Sequence, residues 1–290
     1  MEEGLVKDIS NGLENVPICL NVGPNEDLPQ KFHYIRCCIS GPGVTLPEGP
    51  FYPGCECKDE CSVNANCSCI AKFGPAYETK NDTLVVANST TQVNNGVSQP
   101  VFECNSSCSC SLFCGNRLAQ NGITTRLQVF KTAEKDWGLR TLDNIQKGHF
   151  VCEYAGEIIS YDEAKKRTLT QKGNNYIIVI REHINGNKIL RTHVDPKYHG
   201  NAGRFINHSC NPNLVMIPVR IDSLIPILAL FSVKDIPQGI ELTFDYSGGD
   251  SASENKQLFI GQNSCTDMTR ICNCKTTKCT GYLPCNSSLF

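Results

Sequence analysis

Cys55-Glu56-Cys57-Lys58-Asp59-Glu60-Cys61, then Cys67-Ser68-Cys69, and later Cys104-Asn105-Ser106-Ser107-Cys108-Ser109-Cys110-Ser111-Leu112-Phe113-Cys114 together carry nine of the chain's 19 cysteines. Nine sulfurs cannot be closed by pairwise disulfides, nor do they divide into separate tetrahedral sites of four thiolates each. Sharing resolves the count, because six terminal and three bridging thiolates supply the bonds that three tetrahedral zinc ions need. The segment is poor in large apolar residues and cannot offset its own ordering entropy by burial. Structural zinc, worth roughly 10–16 kcal/mol in small finger peptides, is ample for that purpose. The spacing therefore predicts a metal cluster standing in for a core, with separate zinc knuckles or free thiols as the competing readings.

Outward from this cluster, the 290 residues are 40% hydrophobic with a formal net charge of −2. That supports a folded core and supplies no basic stripe to track a phosphate backbone, so no direct nucleic-acid site is expected. Met1 to Gln30 lacks a basic start followed by an apolar run, and apolar stretches such as Tyr176 to Ile180 and Ile225 to Phe231 are too short to span a bilayer. A soluble, intracellular protein is expected, in which clustered cysteines read as metal ligands rather than cystines. Six Asn-x-Ser/Thr matches favour secretion, but such short patterns arise readily in a chain rich in these residues.

Composition divides the chain into a Pro/Gly-punctuated lead-in (1–51), the cysteine-rich segment (52–121), a strand-rich segment (122–247), a polar linker (248–264) and a cysteine-bearing tail (265–290). The lead-in reads as surface-wrapping, and the polar tract Glu78 to Gln99 reads as a mobile loop. Strands are expected at Leu127–Phe130, Phe150–Ile159, Tyr176–Arg181, Lys188–Val194, Leu228–Val233 and Glu241–Tyr246, with a hairpin turn at Asn185-Gly186. Ser160 and Glu163 form a capping box ahead of a helix over Asp162–Leu169. The fold class is mainly β with some α, built of small sheets.

Four further motifs follow the cluster in order: Trp137-Gly138-Leu139-Arg140, Glu153-Tyr154-Ala155-Gly156-Glu157, Arg204-Phe205-Ile206-Asn207-His208-Ser209-Cys210 and Glu241-Leu242-Thr243-Phe244-Asp245-Tyr246. Singly, each is an ordinary core aromatic or turn. Jointly, with the nine cysteines before them and Cys272-x-Cys274-x4-Cys279 behind, they resemble the SET-domain histone-lysine methyltransferases with their pre-SET and post-SET regions. The likeness covers about residues 52 to 285. It implies a SET fold with a C-terminal pseudoknot, an exception to unthreaded connections, flanked by zinc-bound segments.

The resemblance assigns the pre-SET zinc ligands to Cys55, Cys57, Cys61, Cys67, Cys69, Cys104, Cys108, Cys110 and Cys114, and a fourth zinc to Cys210, Cys272, Cys274 and Cys279. It implies S-adenosylmethionine held near Lys135, Asp136, Trp137, Tyr176, Arg204, Asn207 and His208. Tyr246 becomes the catalytic tyrosine, Tyr154 lines the same channel, and Phe244 stands where the family carries Phe or Tyr. Phe there implies a product beyond monomethyl-lysine. The family often carries Gly where this chain has Asp136, which is tolerable if only backbone meets the cofactor there, and Gly where this chain has Lys275, so the turn after Cys274 is in question while the ligand spacing survives.

The implied partner is the histone H3 tail on a nucleosome, in nucleus and chromosome, with no membrane. Val129-Phe130-Lys131-Thr132, Ile217 to Ser223 and Leu283-Pro284 resemble members that favour lysine thirty-six; the nine-cysteine pre-SET is more typical of lysine-nine enzymes. The competing function is a catalytically silent, SET-like histone-binding module. Cys152 reads as a buried strand residue, and Cys19, Cys37, Cys38, Cys265 and Cys285 receive no role.

Overall fold

The computed structural model describes residues 6–23, 26–62, 66–78, 83–84, 101–170, 174–184, 188–247 and 270–284. The turn at Asn185-Gly186, most of the tract 78–99, the linker 248–264, Cys265 and Cys285 lie outside them.

Three four-stranded sheets and three strand pairs form among the described residues. In the first sheet β1 (Val6–Asp8) pairs with β2 (Ile18–Asn21), which runs parallel to β8 (Leu127–Lys131); β8 in turn pairs antiparallel with β9 (Trp137–Thr141). The lead-in is thus more than a surface wrap. Ile18 is fully buried and Leu20 nearly so, in the same core as Leu127, Val129 and Leu139. Strands of two to four residues with no clear alternation carry little signal in a lone sequence.

A second sheet is ordered β10 (Phe150–Glu153), β17 (Ile227–Ser232), β16 (Leu214–Arg220), β7 (Val101–Phe102). Strand β16 went unread because Pro218 lies in it; its ladder with β17 nonetheless runs from Leu214↔Ser232 to Val219↔Ile227. The third is ordered β12 (Ile178–Ile184), β13 (Lys188–Asp195), β11 (Glu157–Ile159), β4 (Ile39–Ser40). The expected single strand 150–159 is therefore two, β10 and β11, in different sheets. The chain changes sheets at Gly156, where a Cβ would come 2.7 Å from the Asp195 backbone. The remaining pairs are β3 (His33–Tyr34) with β14 (His199–Gly200), β5 (Tyr77–Glu78) with β6 (Thr83–Leu84), and β15 (Asn207–His208) with β18 (Thr243–Phe244). Of the strand expected over 241–246, only β18 and a bridge from Glu241 to Arg140 form.

Among the described residues the α-helices are α1 (Ser68–Phe73) inside the cysteine-rich segment and α2 (Tyr161–Thr170). The Ser160 hydroxyl accepts from the Glu163 amide at 3.3 Å, which is one half of the capping box. The other half is not made, because Glu163 turns to Arg167 at 3.0 Å and to Lys166 at 3.1 Å. Cys152 is fully buried in β10.

The cysteine-rich segment has its own cluster of buried sulfurs, edged by Tyr52, Phe73 and Phe102. Phe73 and Phe102 stack with centroids 4.0 Å apart. Gly54 lets the segment's two halves touch, since a Cβ there would fall 2.2 Å from the Ser107 carbonyl oxygen. Glu103, wholly buried, knits the segment together by accepting from the Tyr77 hydroxyl at 2.6 Å and from the Ala119 and Gln120 amides, and its own amide ties it to the rest by donating to the Arg220 carbonyl at 2.9 Å.

Candidate active site and metal centres

The parallel pairing of β15 with β18 brings two remote motifs side by side, Asn207↔Thr243 and His208↔Phe244. Asn213 holds the passing strand: its Oδ1 accepts from the Thr243 amide at 2.8 Å and its Nδ2 donates to the Glu241 carbonyl at 2.8 Å. Upstream, the Asn201 side chain accepts from the Gly203 amide and caps the single turn Ala202–Phe205 that delivers Ile206 to the pocket.

Tyr246 sits at the junction. Its hydroxyl donates to the Ile206 carbonyl at 2.9 Å, and its ring lies 4.8 Å from Phe244 and 5.3 Å from His208. Tyr154 closes the other side, its hydroxyl donating to the Tyr176 carbonyl at 2.7 Å and its ring edge-on to Phe244 at 5.9 Å. Burial pushes both phenols above their ordinary range, so both stay protonated donors. A phenol that donates to a carbonyl keeps its lone pairs free to accept from an amine. Three aromatic rings and two carbonyl oxygens thus form an electron-rich wall. That chemistry suits a cationic sulfonium and its polarised methyl.

The residues assigned to the cofactor gather nearby but differ in what they engage. Asn207 Nδ2 donates to the Trp137 carbonyl at 3.1 Å and to Glu241 Oε1 at 3.0 Å, leaving its own Oδ1 as the free acceptor. Lys135 pairs with Glu241 Oε2 at 2.5 Å. Glu241, quoted in a motif but given no role, therefore bridges both. Asp136 holds the left-handed φ of 63° that favours glycine, with its carboxylate turned outward to Lys131. Asp is accommodated there by leaving only backbone toward the site. Arg204 is buried, its guanidinium between the rings of Phe32 at 4.3 Å and Tyr176 at 4.8 Å, donating to the Pro196 and Lys197 carbonyls. It braces Tyr176 from behind. No sequence signal marked the Ile206 carbonyl or Asn213, since backbone acceptors and single asparagines have no pattern.

His208 joins this pocket to a metal centre. The Tyr246 amide donates to its Nδ1 at 3.2 Å, which puts the proton on Nε2, 3.3 Å from Cys210 Sγ. The sulfurs of Cys210, Cys272, Cys274 and Cys279 lie within 4.8 Å of one another, a closed tetrahedral set that could hold zinc. Lys275 follows with φ 55°, so the turn keeps its left-handed form without glycine.

In the cysteine-rich segment three overlapping groups of four sulfurs meet the same 4.8 Å limit. They are Cys55, Cys57, Cys61 and Cys67; Cys55, Cys69, Cys104 and Cys108; and Cys55, Cys61, Cys104 and Cys110. Cys114 joins through its sulfur, 3.4 Å from the Cys61 amide. All nine are free thiols, with closest gaps such as Cys55–Cys61 at 3.4 Å, well beyond a disulfide bond. Cys61 and Cys104 are common to two groups and Cys55 to all three, and shared sulfurs are what bridging thiolates require. The hydrogen bond with Cys104 pulls Cys114 down to about 4 and pushes Cys104 up, so the crowded sulfurs need cations to ionise together.

Residues 136–247 match the SET domain and residues 10–117 the Pre-SET motif. The histone-lysine N-methyltransferase SETMAR of Mus musculus is 44% identical over 98% of this chain and 91% of its own. The chain belongs to the SET-domain histone-lysine N-methyltransferases. The solved methyltransferase domain of human SETMAR superposes with a TM-score of 0.78 at 41% identity, covering 96% of this chain and 97% of that one. Arabidopsis thaliana SUVH6, solved in complex with SAM, gives 0.78 at 29% identity over 98% of this chain and 56% of its own. The H3 lysine-9 specific enzyme dim-5 of Neurospora crassa is 32% identical over 88% of this chain and 84% of its own. Among SET methyltransferases, then, this chain combines the Pre-SET cysteines with a Phe at 244 and non-glycine residues at 136 and 275.

Proposed function

We propose that this chain methylates a lysine of the histone H3 tail in the nucleus, on nucleosomes, with lysine thirty-six favoured and a product of dimethyl-lysine or higher. The observation that carries the reading is the Tyr246 hydroxyl, fixed on the Ile206 carbonyl beside Phe244 and the Asn207–His208 pair. Bound S-adenosylmethionine supplies a methyl carbon on a cationic sulfonium, and the C–S bond is the one that breaks. Lys135, Asp136, Trp137, Tyr176, Arg204, Asn207 and His208 would hold it, mostly through backbone and the free Asn207 Oδ1.

The attacking nitrogen must be neutral, although a free lysine has a pKa of about 10.4. The positive charge of a bound sulfonium beside it, together with loss of water in the channel, would disfavour the ammonium form, and the Tyr246 oxygen would accept one hydrogen of the amine to aim its lone pair. Both nitrogens of His208 are engaged, so the lost proton leaves to water rather than to that ring. Phe244 brings no hydroxyl and no fixed water to the channel, which leaves room for an amine already carrying methyl groups. Three zinc ions in the nine-cysteine cluster and one on Cys210, Cys272, Cys274 and Cys279 would complete the protein. The family resemblance at Val129–Thr132, Ile217–Ser223 and Leu283–Pro284 supports lysine thirty-six; the nine-cysteine Pre-SET and the likeness to dim-5 favour lysine nine as the second reading.

The test is labelled cofactor and nucleosomes, with mass spectrometry of the product and calorimetry of cofactor binding. Label on lysine thirty-six as dimethyl or higher is expected, and Tyr246→Phe should lower transfer by about 100-fold or more while cofactor affinity stays within about twofold. Monomethyl product alone overturns the reading of Phe244, and label on lysine nine overturns the lysine preference. Cofactor binding without transfer by the unaltered chain makes it a silent histone-binding module.

A further inference from the structure

Two of the few non-glycine residues with left-handed φ, Asp136 and Lys275, lie on either side of one contact. Thr132 to Asp136 forms a tight loop before β9, closed by the Thr132 amide on the Asp136 carbonyl at 2.7 Å and the Lys135 amide on Thr132 Oγ1 at 2.8 Å. Its exposed tip is Glu134. Residues 270–284, far along the chain, reach this tip twice: Asn273 Nδ2 donates to the Glu134 carbonyl at 3.2 Å, and Lys275 Nζ pairs with Glu134 Oε1 at 2.5 Å. Besides Cys210, the tail is also fastened by Arg270 to Asn174 Oδ1 at 2.8 Å.

We infer that Glu134, with Asn273 and Lys275, is a latch that docks the metal-bearing tail onto the cofactor loop, and that Glu134 is a positioning residue for S-adenosylmethionine binding. The inference rests on the cofactor reading above. A glycine at 275 would adopt the same backbone but bring no ammonium to the loop. Lys131 holds Asp136 from the opposite side, and Lys135 anchors on Glu241. The loop therefore cannot yield independently: when the tail is seated, the backbone of 134–137 is held between the tail and Glu241. An ion pair this exposed adds little to global stability. Its effect is on where the tail sits, and so on how long the cofactor stays.

The experiment uses the full zinc-loaded chain and measures cofactor affinity by calorimetry, amide exchange at Cys272 and Leu283, and the KM and kcat for cofactor. Lys275→Gly removes the side chain while easing the backbone, and Glu134→Gln removes the charge. Each should weaken cofactor binding about two- to fivefold, appearing in KM with kcat little changed. Exchange of the tail amides should rise, with zinc content unaltered. The double exchange Glu134→Lys with Lys275→Glu should recover affinity, and the wild-type advantage should shrink at high salt. Wild-type affinity in Lys275→Gly, or a double exchange no better than either single change, overturns the latch while leaving the methyltransferase intact. A wild-type chain that binds no cofactor overturns both.

Discussion

Glu153 lies one residue from Tyr154, buried in β10, with the Cys38 amide donating to its Oε1 at 3.1 Å. Burial outweighs that bond and pushes the carboxyl from an ordinary 4.5 up to about 7. The folded chain thus holds this proton more tightly than the unfolded one. Its stabilising effect is complete below about 4.5 and is lost as pH rises through about 7. Glu153→Gln, whose amide oxygen still accepts from Cys38, should flatten the fall in stability across that window and gain about 2–3 kcal/mol at pH 8. Thermal melts across pH check this, and an unchanged slope refutes it. At this scale the sequence singles out side chains by type, such as Tyr246, and is silent about those that matter by place. Glu153 is ordinary until the lead-in covers it, and Glu241 until Lys135 and Asn207 converge on it.

Helix α2 is joined to its sheet through Arg167, which donates to Glu157 Oε2 at 2.8 Å, to Asp195 Oδ2 at 2.8 Å and to Glu163 Oε1 at 3.0 Å. The Asp195 side chain is 1% exposed, so losing the guanidinium strands a buried carboxylate. Arg167→Met should cost about 3–5 kcal/mol in urea unfolding, and Arg167→Lys should recover only part, because an ammonium can replace Nη1 between Glu157 and Asp195 but not the separate Nε donor to Glu163. A loss below 1 kcal/mol in Arg167→Met would show that the network contributes little. The helix itself was legible from Ser160 and Glu163, although the Glu163 half of the expected capping box is not made because Arg167 claims that carboxylate. The long antiparallel hairpin of β12 and β13 was likewise legible. The short parallel pairings of β2 with β8, β4 with β11 and β15 with β18 were not, since each joins residues too distant in the chain for a local pattern to mark.

Across the whole molecule, two sets of sulfurs differ in shelter. Seven of the nine in the Pre-SET segment are buried, whereas in the tail set only Cys272 is. A chelator with a colorimetric readout should therefore release zinc in two phases. The fast phase, one ion per chain, should abolish methyl transfer with little change in circular dichroism; the slow phase, three ions, should accompany unfolding. Single-phase release with simultaneous loss of both signals would contradict the separate roles of the two centres.

The short bridge from the Tyr246 amide through His208 to the Cys210 sulfur has its own consequence. Peroxide attacks thiolates before it attacks a phenol. Mild oxidation of the tail sulfurs would free the imidazole and, with it, the backbone that carries the Tyr246 ring. Methyl transfer should then fall under peroxide with every residue of the aromatic pocket chemically intact, and a reductant supplied with fresh zinc should restore it.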